Sequence, residues 1–440
     1  MRNSILANGM SLGRSLDFFK ICEVCDIMAD LVIQNGRIVT AIDDGKGPRV
    51  GEQMQELEVI TKGFIAITDG LIEAVDKGDG SDFIDLQTKV IDAEEKLVMP
   101  GLVDPHTHLV HYGSRENELR LKLEGHSYLE ILKAGGGILS TVRATRGATK
   151  DMLERKAKKS LDIMLASGTT TVEGKSGYGL NFEDEVKCLE VMRQIKHPID
   201  LVSTYLGAHA VPLEHKKDPE KYIDLMLNKV IPYVAKEKLC EFIDCFCEDG
   251  VFSVEDSRRV LLKGEEHGLK IKMHSDEIHP MGGARLAGEL GAISAEHLLA
   301  AIDEDLEIMK KAGTIAVLLP ATSFYLRLGK YARARDMIKM GIPVAVATDY
   351  NPGSSPIESL QGTFVFASIG MGMTPQEVIT ATTINSAYAI GRSNEIGSLQ
   401  KGKKADVVIM DAPNENYIVY HFGINHVSKV IKAGELVVER

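Results

Sequence analysis

The sequence predicts an α/β protein: a (β/α)8 barrel of the TIM type carrying a small β-sandwich-like domain built from its N- and C-terminal segments. Three observations predict it. Apolar strand-like runs alternate with amphipathic helical patterns through the middle of the chain, which signals a parallel sheet. Short β-rich runs with Gly and Asp turns lie at both ends. Residues able to bind metals or move protons recur where the central strands end, the rim on which barrels of this kind carry their active sites.

The 440-residue length suits one barrel-sized domain plus a smaller one. Hydrophobic content of 44% and charged content of 26% are ordinary globular values. A net charge of −12 leaves no basic footprint for nucleic acid or an anionic membrane. No run of 18 uninterrupted apolar residues marks a membrane span. Six cysteines in so long a chain do not make a disulfide framework, and Cys22-x-x-Cys25 lacks a second pair to complete a metal site. Residues 1–29 form an extension without a continuous apolar segment, and Met28-Ala29-Asp30 leading into Leu31-Val32-Ile33 suggests a natural start at Met28.

From residue 30 to 98 the β-rich runs are Leu31–Val39, Ile60–Thr68, Ile72–Val75 and Val90–Asp92, and residues 398–440 return to that style in Ala405–Met410 and Val427–Val438. These flanks are expected to pair into the small domain, leaving 99–397 for the barrel. Eight strand candidates end near His108, Lys175, His209, Glu248, His274, His297, Pro320 and Asp349. Helical patterns over Asp151–Ser167, Phe182–Lys196, Pro219–Lys236 and Val254–His267 fill gaps between them.

Chemistry begins at Asp104-Pro105-His106-Thr107-His108, directly after the apolar run Leu97–Val103. Strand side chains alternate faces, so His106 and His108 point the same way, about 7 Å apart along the backbone. Two such imidazoles converge readily on one metal ion. A lone histidine after a strand is more often structural. Four strand ends supplying His106, His108, His209, His274 and His297, with Asp349 on a fifth, fit a metal-assisted hydrolytic site better.

His106, His108, His274 and Asp349 form a ligand set for one divalent ion, Zn or Fe, with a position left for water whose pKa falls toward about 7. Asp349 is the candidate proton acceptor and donor. His297 is placed to bond the water or a carbonyl oxygen, and Glu277, three residues past His274, to orient a substrate N–H. Lys175 on strand two would serve a second metal only if carboxylated; a structural or substrate-facing role is expected. His111 is expected to line the site rather than ligate. Gly135–Gly137 lacks the pattern of a phosphate loop and suits a mobile lid.

This arrangement resembles the amidohydrolase superfamily, through the strand-one His-x-His and the strand-eight Asp. The resemblance extends from Asp30 to the C-terminus. It is carried further by Gly113-Ser114-Arg115-Glu116, by Ala134–Arg143, by Lys175-Ser176-Gly177-Tyr178-Gly179-Leu180 and by Asp349-Tyr350-Asn351-Pro352-Gly353-Ser354. Within the superfamily these segments resemble the members that hydrolyse 4-imidazolone-5-propanoate to N-formimidoyl-L-glutamate in histidine degradation. Water activated on the metal would attack the ring carbonyl and the C–N bond would break. The resemblance implies substrate or product contacts from Arg115, Tyr178, His209, Glu277, Asn351, Gly353 and Ser354. Arg115 would grip the carboxylate tail. It also implies a cytoplasmic homodimer. The rival readings are a deaminase or other cyclic-amidase relative that shares the metal cage but not the tail-binding Arg115, and a catalytically dead barrel. The second is disfavoured by the presence of all four candidate ligands.

Overall fold

A computed structural model describes residues 28–126, 130 and 135–440. The expectations for residues 1–27, including the start at Met28 and the Cys22/Cys25 pair, concern segments outside the described residues. Among the described residues no helix is long and apolar enough to cross a membrane.

Strands β1 (Leu31–Val39), β2 (Val59–Thr68), β3 (Leu71–Lys77), β4 (Lys89–Asp92) and β5 (Leu97–Pro100) come first. The barrel strands follow: β6 (Leu102–Thr107), β7 (Thr169–Lys175), β8 (Asp200–Ala208), β9 (Phe242–Cys247), β10 (Lys270–Ser275), β11 (Ser294–His297), β12 (Ile315–Leu318) and β13 (Val344–Val346). The tail supplies β14 (Val407–Met410), β15 (Val427–Lys432) and β16 (Glu435–Glu439).

The flanking strands form one mostly antiparallel sheet in the order β16-β15-β14-β5-β1-β2-β3, with β4 also pairing β1. Strand β14 is the junction between the two ends of the chain: Val408 pairs with Met99 of β5 and with Val430 of β15. The apolar face is held by Ile33, Ile38, Ile65, Ile67, Val407 and Ile431, all buried.

Two apolar runs that read as single strands are divided in space. The run Leu97–Val103 changes sheets at Gly101, where a Cβ would lie 2.3 Å from Thr170 Oγ1; only glycine lets the chain pass β7 that closely. The run Val427–Val438 turns at Ala433 and Gly434, both at positive φ, and folds into the hairpin β15–β16.

The barrel strands are parallel and in sequence order, β6 to β13. Buried on both faces, β12 and β13 are uniformly apolar, whereas β7, β10 and β11 also bury polar and charged residues. Helices between them begin where side chains satisfy orphan N–H groups: Thr149 bonds Met152 N, Asn181 bonds Asp184 N, and Ser253 forms a capping box with Asp256. The predicted helix Pro219–Lys236 contains a π-helical stretch at Met226–Val230.

Closure joins the first strand to the segment after the last. Thr107 bridges Tyr350, Asp349 N donates to His106 O at 3.1 Å, and His108 N donates to Tyr350 O at 2.9 Å. Asp104 reinforces the seam, accepting from Thr348 Oγ1 at 2.6 Å and Thr348 N at 3.1 Å. These bonds carry Asp349 to the His106–His108 pair, although β13 itself ends at Val346.

Candidate metal centre and active-site cleft

At the C-terminal rim, one nitrogen from each of His106, His108 and His274 lies within 4.8 Å of the others, and all three residues are buried. Asp349 Oδ1 stands 3.4 Å from His106 Nε2 and 3.4 Å from His108 Nε2. That separation is long for an N–H···O bond. It matches the edge of a tetrahedron whose corners lie about 2.1 Å from its centre. His106 Nε2, His274 Nε2 and Asp349 Oδ1 are buried without hydrogen-bond partners. Unpaired buried polar atoms that converge are costly unless a ligand completes them, so the four side chains fit a single divalent cation.

The opposite nitrogens are pinned. His274 Nδ1 lies 2.9 Å from Asp244 Oδ2, and His106 Nδ1 meets Glu296 Oε2. Fixing Nδ1 turns Nε2 toward the centre. Asp349 is oriented by Thr322, whose Oγ1 donates to Oδ2 at 2.6 Å and leaves Oδ1 facing the imidazoles. Asp349 and His297 both have positive φ, 53° and 71°. This backbone conformation is uncommon for residues other than glycine and concentrates at functional sites.

The electrostatics separate the two acidic candidates. Burial would raise the Asp349 carboxyl, but His106 and His108 hold it well below the usual carboxylate range. Burial pushes Glu277 up to about 8, with Asp349 and Glu248 adding to the rise. Burial thus acts on both carboxyls, but the imidazoles overcome it at Asp349 and nothing does so at Glu277. The Glu277 loop is held by Asp276, which accepts from the N–H groups of Gly282, Gly283 and Ala284. Glu248 accepts from Ile278 N at 2.9 Å on its other side.

A cleft of about 510 Å³ opens above this centre. His108, Arg115, Tyr178, His209, His274, Glu277, His297, Asp349, Asn351, Gly353 and Ser354 all line it, and His106 lies beneath them, fully buried. The His209 ring stacks on His108 with centroids 4.8 Å apart, and Tyr178 lies 5.3 Å from His209. Glu185 holds the Tyr178 loop by accepting from Gly179 N at 2.7 Å and Leu180 N at 2.9 Å. His111 is buried, with Nδ1 2.8 Å from His108 O, and is not among the converging nitrogens.

Arg115 is only partly free. Its Nε and Nη2 bond the two oxygens of Glu118 at 2.8 Å each, so the edge available to a substrate carboxylate is Nη1–Nη2. Glu118 also accepts from Gly137 N at 2.8 Å, tying Arg115 to the end of the glycine segment. Gly353 packs against the guanidinium: a Cβ there would lie 1.9 Å from Arg115 Nη1. Gly353→Ala should displace Arg115 and raise KM about tenfold with little change in circular dichroism; an unchanged KM would show that the guanidinium adapts freely. The Asn351 amide is fully used within its loop, bonding Asp349 O, Ser354 Oγ and the N–H groups of Gly353 and Ser354. Its side chain shapes the turn that presents Gly353 and Ser354.

Lys175 faces no substrate. It is fully buried below the histidines, with Nζ 2.8 Å from Glu173, 2.9 Å from Asp244 and 3.0 Å from Glu296. Carboxylation would replace a cation among three carboxylates with another anion. Lys272 lies beside it, 2.6 Å from Glu173 and 3.4 Å from Glu296. No motif in the sequence marks Glu173, Asp244, Lys272 or Glu296 for a role. The available signal was their position, since each is a charged residue within an otherwise buried strand.

A family model for the amidohydrolase family matches residues 97–437. The chain is 54% identical to an imidazolonepropionase of Alkaliphilus metalliredigens over 418 residues, covering 94% of this chain and 99% of that one. It is 54% identical to an imidazolonepropionase of Treponema denticola over 381 residues, covering 86% and 92%. Among solved structures, a zinc-bound adenosine deaminase from Xanthomonas campestris superposes with a TM-score of 0.68 at 17% identity, covering 93% of each chain. A zinc-bound variant of an atrazine chlorohydrolase from Arthrobacter aurescens TC1 reaches 0.71 at 17% identity, covering 93% and 95%. At that identity the structural likeness speaks for the fold.

Proposed function

The chain belongs to the amidohydrolase family, and on that premise we propose that it hydrolyses 4-imidazolone-5-propanoate to N-formimidoyl-L-glutamate, the imidazolonepropionase reaction of histidine degradation. The observation that carries the reading is the pairing, at one cleft, of the converging His106, His108, His274 and Asp349, three of them with unpartnered buried atoms there, with a cation, Arg115, for a carboxylate tail.

A divalent cation held by those four side chains supplies Lewis acidity and brings the pKa of water toward about 7. Three imidazoles and a carboxylate accept Zn²⁺ and Fe²⁺ alike. Asp349, ionised and oriented by Thr322, accepts the proton of the attacking water at Oδ1 and returns it to the leaving ring nitrogen. His297 bonds the carbonyl oxygen as it gains charge. Glu277, whose carboxyl is pushed up by burial, orients the N–H edge of the ring. Arg115 holds the tail, while Tyr178 and His209 wall the ring. Gly353 and Ser354 shape the far wall of the cleft, and Asn351 braces the turn that carries them. A cytoplasmic homodimer completes the proposal. The four described cysteines, all free and buried, suit a reducing compartment.

The test is loss of imidazolone absorbance with equimolar appearance of N-formimidoyl-L-glutamate, run beside ammonia release from purines and pyrimidines. Arg115→Ala should raise KM by about 30- to 100-fold, from the roughly 2–3 kcal/mol lost when one partner of a desolvated charge pair is removed. The effect should be absent for an imidazolone lacking the carboxylate. Equal losses on both compounds would remove Arg115 from tail recognition, and ammonia release without ring opening would favour the deaminase reading.

A further inference from the structure

The mechanism leaves one group of buried charges unused. Beneath the candidate centre, Asp244 and Glu296 join one of its own ligands, His274, in bringing three buried ligand atoms within 4.8 Å of one another. An oxygen–oxygen–nitrogen set of this spacing is itself of a kind that takes a divalent ion. Lys175 Nζ already stands in it, 2.9 Å from Asp244 Oδ2 and 3.0 Å from Glu296 Oε2, with Glu173 Oε1 at 2.8 Å as a third contact. All four side chains are 0% exposed, so their charges meet one another away from bulk solvent.

We propose that Lys175 is the fixed second cation of this centre: its ammonium holds the place a second metal ion would take, limits the site to one ion, and keeps Asp244 and Glu296 against the Nδ1 atoms of His274 and His106. This rests on the metal reading of the upper site. The charges make the lysine necessary. Glu173, Asp244 and Glu296 carry three negative charges, and Lys175 and Lys272 two positive ones. Removing Lys175 leaves three buried carboxylates with one ammonium, and an uncompensated charge at such depth is costly unless another cation enters. Burial by itself lowers the affinity of Lys175 for its proton, yet Asp244, Glu173 and Glu296 together raise it, consistent with a permanent ammonium. Lysine performs the task without being lost to chelators. It is a positioning residue, acting on the reaction through the imidazoles that its carboxylate partners hold.

The experiment counts ions. Full-length wild type, Lys175→Ala and Lys175→Arg are stripped of metal, dialysed against Mn²⁺, analysed by mass spectrometry and examined by electron paramagnetic resonance. The wild type and Lys175→Arg should each bind one equivalent with an isolated Mn²⁺ spectrum. Lys175→Ala should bind two, with the signature of a magnetically coupled pair. A coupled pair in the wild type overturns the proposal whether or not the alanine variant folds. A folded Lys175→Ala with one equivalent also overturns it, while leaving the upper site intact. A wild type that binds no ion removes the metal reading itself, and the lysine's role with it.

Discussion

Asp349→Asn is expected to lower kcat by at least about a thousand-fold while far-UV circular dichroism and melting temperature stay close to wild type. The magnitude follows from losing both a proton carrier, worth about 10²–10⁴ in rate, and an anionic member of the four-ligand set. Asparagine keeps the shape and can still accept the 2.6 Å bond from Thr322 Oγ1. It can neither take a proton from water nor balance the charge of a cation facing Oδ1. The backbone should hold, because Asp349 N and O bond His106 O and Asn351 Nδ2 irrespective of the side chain. Metal content measured on the same sample separates the two losses: an occupied but inactive centre isolates the proton transfer. Turnover near wild type would remove Asp349 from the mechanism.

Lys272→Met should cost about 3–5 kcal/mol of stability, the usual effect of removing one partner from a buried ion network. Lys272 is wholly buried, donates to Glu173 Oε2 at 2.6 Å and Pro105 O at 3.1 Å, and lies 5.3 Å above the Phe242 ring. Methionine fills the apolar part of that space and stacks on Phe242. It leaves Glu173 Oε2 and the Pro105 carbonyl, on the strand carrying His106, without this donor. A fall of about 3–6 °C in melting temperature is expected for a chain of this length, with a matching drop in the urea midpoint. Unchanged stability would mean that the network relaxes around a vacant cation position, and Lys272 would then be dispensable to the barrel.

Much of the fold was legible. Strands covered on both faces, such as Ile315–Leu318 and Val344–Val346, appear as short apolar runs, and the ends of all eight fall within a few residues of those predicted. The helical patterns expected from Asp151, Phe182 and Val254 begin within one residue of the observed helices, where Thr149, Asn181 and Ser253 satisfy orphan N–H groups. The division of Leu97–Val103 was not legible. Hydrophobicity is the same on either side of Gly101, and only the approach of Thr170 shows why the chain changes sheets there. The hairpin within Val427–Val438 was hidden for a similar reason, as its turn is marked by a single Ala433-Gly434 step.

The candidate site divides along the same line. Residue types and their place at strand ends were enough to nominate His106, His108, His274 and Asp349, because metal binding and proton transfer require particular side chains and alternation along a strand dictates which of them share a face. What holds those side chains depends on residues far apart in the chain. Glu118 occupies one edge of Arg115. Asp244 and Glu296 pin the far nitrogens of two imidazoles. Lys175 and Lys272 are paired among three buried carboxylates. The sequence by itself determined the chemistry available at the rim, since that chemistry resides in single residues and their spacing. The tertiary structure alone decided how it is aimed: closing β6 against the segment after β13 brings Asp349 to within 3.4 Å of His106 and His108, a contact across more than half the chain that no local pattern encodes.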